Sequence, residues 1–279
     1  MIRFRSTLGA TLLCFVSVTA MPQGVPTTQP GMISIVKEQV KPGRNAEHEK
    51  WEAGWPAAYA NAKSQFNYLA LTSLTGGNEA WFVSTFTSNA AIGQSMKDEA
   101  ANPVLSAELA RLGRGDAEFI TGYTTIQAAA RPDLSYGAFP NIAKHRYWAI
   151  TTFRVRPGHE AGFDAAVKTY FASAKRNAPS TGFRTYQVVA GMPSPTYLVF
   201  GSVADFAEFD QTAANGNKIM GGMTADEGAL MQKFSADGLI SEETQRFSLN
   251  AQMSFVNKDT KDQDPAFWMP KKAPAKKSP

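Results

Sequence analysis

Two ten-residue stretches carry the first signal in this chain. Positions 32–41 read M-I-S-I-V-K-E-Q-V-K and positions 147–156 read Y-W-A-I-T-T-F-R-V-R, both dense in the β-branched and aromatic side chains that suit strands. Pro42-Gly43 and Pro157-Gly158 follow and end each strand, because proline lacks the ladder donor and glycine permits the turn. The pattern then changes period. His48, Trp51, Trp55, Tyr59 and Ala62 fall at steps of three and four, and Phe163, Ala166, Tyr170 and Ala174 keep the same phase. That spacing predicts, in each copy, a helix with one face laid on a sheet.

The rest of the pattern repeats too. Strand-like runs from Asn67 to Thr75 and from Ala80 to Phe86 flank Gly76-Gly77, and runs from Phe183 to Ala190 and Thr196 to Ser202 flank a Gly/Pro turn. Each hairpin leads into a helical region, near 90–121 and 206–238, and then a last short strand that ends in the related phrases Leu134-Ser135-Tyr136 and Met253-Ser254-Phe255. Leu112-Gly113-Arg114-Gly115-Asp116 reads as a helix break. Each copy is therefore β-α-β-β-α-β, an α+β ferredoxin-like unit that leaves one sheet face bare. Two tandem copies, 32–140 and 141–257, can cover their bare faces against each other as an intramolecular α/β barrel.

The order of elements and the strand–Pro-Gly–helix phrase, over Met32 to Phe255, resemble the dimeric α/β-barrel superfamily, with its antibiotic-biosynthesis-monooxygenase-like, EthD-like and NIPSNAP-like proteins. The resemblance implies two half-barrels fused in one chain and spans oxygenases, isomerases, haem enzymes and proteins without known activity, so it names no reaction. Some relatives hold haem through a histidine in the helical region after the third strand. Positions 87–121 and 203–244 contain none, so no haem and no other cofactor is expected.

The two ends of the chain read differently. Arg3 and Arg5 precede an apolar run from Leu8 to Val18 that closes on Val18-Thr19-Ala20, the form of a cleaved secretory signal at 1–20. A secreted or periplasmic protein is expected, with an extended leader at 21–31 and no membrane span. Cys14, the sole cysteine, would leave with the signal. Of the formal net charge of +4, two belong to Arg3 and Arg5, and three to the surplus of six lysines over three aspartates in 258–279. The span between is near neutral, which gives no footprint for nucleic acid. The Lys/Pro-rich tail 258–279 is expected to be disordered.

Candidate chemistry comes from comparing the copies. His48, Trp51, Trp55 and Tyr59 stand where the second copy has Phe163, Ala166, Tyr170 and Ala174, and Glu38 stands where it has Phe153. Glu38 and Val40 share a strand face, so Glu38 points towards the helix that carries His48, and the two form a candidate acid–base pair. Trp51, Trp55, Tyr59 and Trp81 supply stacking surface for a small apolar or aromatic ligand held between sheet and helices of the first repeat. The three histidines, His48, His145 and His159, show no ligand spacing, so no metal site is expected. An exported small-molecule-binding protein, a cofactor-independent monooxygenase or isomerase, and an interaction module without a ligand all remain open, as do monomer and homodimer.

Overall fold

A computed structural model describes residues 24–270; the expected signal, the start of the leader and the last residues of the tail lie outside them. The first repeat comprises β1 (Met32–Val40), α1 (Asn45–Glu52), α2 (Gly54–Asn61), β2 (Tyr68–Ser73), β3 (Glu79–Phe86), α3 (Asn89–Ala100), α4 (Pro103–Asp116) and β4 (Ile120–Ala130). The second comprises β5 (Tyr147–Val155), α5 (Glu160–Asn177), β6 (Arg184–Ala190), β7 (Thr196–Val203), α6 (Glu208–Gly221), α7 (Ala225–Asp237) and β8 (Leu239–Phe255). The strands close into one antiparallel barrel in the order β1-β3-β2-β8-β5-β7-β6-β4.

Each repeat contributes a four-stranded sheet, and its last strand crosses into the other repeat's sheet. The first part of β8 pairs with β5 and its remainder with β2, from Ser73↔Phe247 to Tyr68↔Phe255. Likewise β4 pairs along β1 and then with β6, where Ala130 meets Tyr186. The bare sheet faces expected from sequence are thus buried in the barrel, with Ile35, Leu71, Ile150, Leu198 and Phe247 at its centre. Outside it, α1, α2 and α4 cover the first sheet, Leu109 and Leu112 of α4 sharing one apolar cluster with Val40 and Phe82 of the strands, while Phe163 of α5 stacks on Tyr197 over the second, ring centroids 4.0 Å apart.

Local chemistry explains where the elements begin and end. Ser88 and Asn102 cap α3 and α4 through their side-chain oxygens, with Pro103 at the first position of α4, and Thr224 and Glu227 form a reciprocal capping box on α7. The first helix of repeat one is broken where its counterpart α5 is continuous. Pro56 has no N–H to offer the Glu52 carbonyl, and the break falls at Ala53, just before Gly54. A Cβ on Gly54 would come within 2.6 Å of Leu112, so α2 approaches α4 more closely than any other residue there would allow.

Three expectations need correction. Gly113 and Gly115 do not break a helix, since α4 runs through to Asp116; a Cβ on Gly115 would lie 2.5 Å from the Trp51 ring, so this glycine makes room for the indole. Leu134 is not in a strand: Pro132 stops the ladder after Ala130, and Pro132–Leu134 forms a 3-10 turn with Leu134 fully buried. The segment from Val256 to Pro270 is not a disordered tail but packs on the barrel. It forms α8 (Lys258–Asp262) and α9 (Pro265–Trp268), with Trp268 buried in the barrel core and its Nε1 donating to the Ala143 carbonyl at 3.0 Å. Asp264 pairs with Arg146, whose guanidinium lies over Phe267. Among the described residues no helix is long and apolar enough to cross a membrane.

Candidate functional site

Glu38 leaves β1 on the helix side, between Val36 and Val40, as strand alternation requires. His48 descends onto the same layer from α1, and Glu52 follows it one turn later on the same helix face. Asp116 arrives from the last residue of α4. One donor atom from each of these four residues lies within 4.8 Å of the other three. His48, Glu52 and Asp116 are 3%, 4% and 2% exposed, so this is a buried polar cluster in a layer that is otherwise apolar.

The hydrogen bonding is incomplete in a specific way. His48 Nδ1 and Asp116 Oδ1 are 2.9 Å apart. A carboxylate can only accept, so this contact pairs it with the tautomer that carries its proton on Nδ1, and the opposite ring nitrogen faces the remaining acids. That nitrogen, Nε2, lies 3.8 Å from Glu38 Oε2, too far for a hydrogen bond, and both atoms are buried without a partner. The Tyr68 hydroxyl, on a side chain 5% exposed, is also buried without a partner; burial first, then Glu52, Tyr59 and Glu38, hold its proton on it.

Burial sets the electrostatics. It raises the Glu38 carboxyl to about 7, helped by the Asp116 charge and opposed by His48. Burial, then the charges of Glu38 and Asp116, raise Glu52 to about 9. The Trp55 Nε1 has no hydrogen-bond partner at normal distance, although its indole is close enough to favour the Glu52 anion slightly. Asp116 sits at a helix C-terminus, where the peptide dipoles disfavour an anion, so His48 is its main compensation. Three acids and one imidazole can therefore share protons here, or surrender them to a cation.

The second repeat carries none of this. Val40 pairs with Ile120 and Val155 with Leu239, so counting back along each chain sets Asp116 against Ser235. Glu38, His48 and Glu52 correspond to Phe153, Phe163 and Val167. There the layer is filled by Phe153, Phe163, Tyr197 and Phe234. Phe234 takes the place of Gly115, and Ala166 that of Trp51: one ring fills each layer from opposite helices. Glu52 and Asp116 were not among the residues singled out from sequence. The comparison of copies that flagged Glu38 and His48 would have flagged Glu52 against Val167, whereas setting Asp116 against Ser235 takes the strand pairings.

Of the expected stacking residues, Trp51 and Trp55 are half-buried against the first repeat's helix layer and Tyr59 is buried within it. Trp81 is on the other face of its strand, inside the barrel, where its Nε1 donates to Glu79 and its ring packs on Phe247. Two cavities open elsewhere, and His48, Trp51 and Trp55 line neither. One, of about 430 Å³, is a polar cleft between α2, α3 and β3 whose wall includes Tyr59, Phe66 and Glu99. Tyr59 also touches Tyr68, so the cleft ends one ring away from the buried acids. The other, of about 240 Å³, lies at one end of the barrel interior.

No family model and no curated protein matches the chain. Solved structures do match. A candidate monooxygenase from Fusobacterium nucleatum aligns with TM-score 0.51 at 8% identity, over 78% of this chain and 91% of its own. An anthrone oxidase-like protein aligns with TM-score 0.51 at 11% identity, over 80% and 93%. A chlorite dismutase variant from Candidatus Nitrospira defluvii, in complex with cyanide, aligns with TM-score 0.50 at 10% identity, over 81% and 93%. At such identities the likeness is one of fold. With its closed eight-stranded barrel built from two crossing ferredoxin-like sheets, this chain folds as a tandem, single-polypeptide form of the dimeric α/β barrel.

Proposed function

We propose that the protein is an exported small-molecule-binding barrel whose working centre is a divalent-cation site in the first repeat. Glu38, His48 Nε2 and Glu52 would hold the ion, and Asp116 would fix the tautomer and orientation of the imidazole by accepting a hydrogen bond from its Nδ1–H, the arrangement in which a carboxylate orients a metal-bound histidine. The carrying observation is the pair of buried, partnerless atoms 3.8 Å apart, Glu38 Oε2 and His48 Nε2. A cation bound at about 2.0–2.2 Å to oxygen and nitrogen spans such a gap. One imidazole with carboxylates suits manganese, iron or zinc better than a soft ion. The polar cleft that reaches Tyr59 would bring a small molecule to within one ring of this layer.

The direct experiment is elemental analysis of protein recovered from an exporting host, followed by chelation and thermal melts with added Mn2+, Fe2+ or Zn2+. The proposal requires about one equivalent of metal or a clear rise in Tm, lost in Glu38→Gln. Neither metal content nor any Tm response in the native chain would end it. N-terminal sequencing of the same material tests export, with Met21 expected as the first residue and a retained Met1 contradicting it.

A second reading is favoured by the raised Glu38 carboxyl: a cofactor-independent acid–base pair of Glu38 and His48, as an oxygenase or isomerase would need. It requires turnover or ligand binding that survives chelation and is lost in His48→Phe.

A further inference from the structure

The barrel-end cavity is separate from the acid cluster and shares no residue with it. Its walls are apolar and partly aromatic, with Leu69, Leu71, Val83, Trp148 and Phe200 among them. The leader crosses its mouth: Val25, Pro26 and Pro30 line it, and the Gln29 side chain donates to the Thr185 carbonyl at 3.0 Å. One charged group sits in this wall. Arg184, 8% exposed, opens β6 and lies over the Phe139 ring.

Arg184 is hydrogen-bonded but not neutralised. Its Nη1 donates to the Tyr136 and Phe183 carbonyls and its Nη2 to the Gly137 carbonyl. A guanidinium has five N–H donors, so the Nε–H and one Nη2–H are left over. Among the described residues no carboxylate stands within ion-pair distance of it, whereas Arg146 and Arg176 each have one and Arg131 has two. Carbonyl dipoles soften a buried positive charge without cancelling it, and a buried cation that lacks a counter-ion is costly. The two spare donors are what a planar carboxylate takes up. His145 and Ser202, joined at 2.8 Å, and Asn67 add polar groups to the same wall.

We propose that this end of the barrel binds a small organic carboxylate, its apolar body inside the barrel and its carboxylate on Arg184. An apolar cavity of about 150 Å³ accommodates benzene; at about 240 Å³ this one suits a ligand of roughly ten non-hydrogen atoms. The inference uses no residue of the cation site, so either can fail without the other.

Isothermal titration calorimetry on the full chain with 3-phenylpropanoate and octanoate, each against its neutral amide, tests it. At least one acid should bind and quench Trp148 fluorescence, with its amide about tenfold weaker or worse. Arg184→Gln should remove the preference for the acid, and Val83→Phe, which fills the cavity, should remove binding of both. Because Arg184 also ties down three carbonyls, the acid-to-amide comparison in the unaltered protein decides if that variant does not fold. No binding by either acid, equal binding of acid and amide, or acid binding untouched by Val83→Phe would each overturn the proposal.

Discussion

His48→Phe in chelator-treated protein at pH 7 isolates the electrostatics of the buried cluster. The change installs the side chain that the second repeat uses at Phe163, so shape alone argues for tolerance. Charge argues the other way. Asp116 is 2% exposed at a helix C-terminus, and His48 is its hydrogen-bond partner at 2.9 Å. Leaving such a charge unpaired costs about 3–5 kcal/mol. Burying a phenyl in place of an imidazole against Phe82 returns about 1 kcal/mol, so a net loss of roughly 2–4 kcal/mol is expected. At about 2–4 °C per kcal/mol for a chain of this size, Tm should fall by roughly 5–15 °C. Adding Asp116→Ser completes the second repeat's pairing of Phe163 with Ser235 and should recover most of that loss. Urea denaturation of the two single variants and the double variant measures the coupling. If His48→Phe is as stable as the parent, or if Asp116→Ser in that background destabilises further, the cluster is not electrostatically coupled as described.

The pH dependence of the metal-free protein follows from the raised carboxyls. The folded chain keeps protons on Glu38 up to about 7 and on Glu52 up to about 9, which the unfolded chain releases near 4.5. Stability should therefore fall as pH rises through that window, by about 3 kcal/mol from Glu38 alone at about 1.4 kcal/mol per pH unit; a flat profile from pH 5 to 8 would contradict the burial of these acids. Glu52→Gln, which cannot ionise, should make the metal-free protein more stable at pH 8 while weakening any response to added cation. Trp268→Ala should cost about 3–5 kcal/mol in urea denaturation, because the indole is buried in the barrel core; an unchanged midpoint would mean that the C-terminal segment is not part of the fold.

The architecture was legible because its signals are local and occur twice. Strand composition, Pro-Gly and a change of period all fall within about twenty residues, and the barrel then follows from two sheets that each need cover. The acid cluster was half legible. Glu38 and His48 stand out against Phe153 and Phe163, but the partner of His48 is 68 residues away on another helix, and no spacing rule links them. Trp81 could have been placed by strand alternation, since it shares a strand face with Val83 of the barrel core, whereas Phe82 faces the helices with Glu38. The tail misled because its lysines and prolines dominate its composition, while its position is set by three side chains, Asp264, Phe267 and Trp268.

The central claim is that the gap between Glu38 Oε2 and His48 Nε2 is the seat of a cation. The most direct measurement is metal content per chain, by mass spectrometry, in the native protein and in Glu38→Gln, His48→Phe and Glu52→Gln purified alongside it. About one equivalent of a single divalent metal in the native chain, absent from all three variants, is the predicted result. Equal metal content in all four proteins, or a native chain that neither carries metal nor takes it up after chelation, would contradict it.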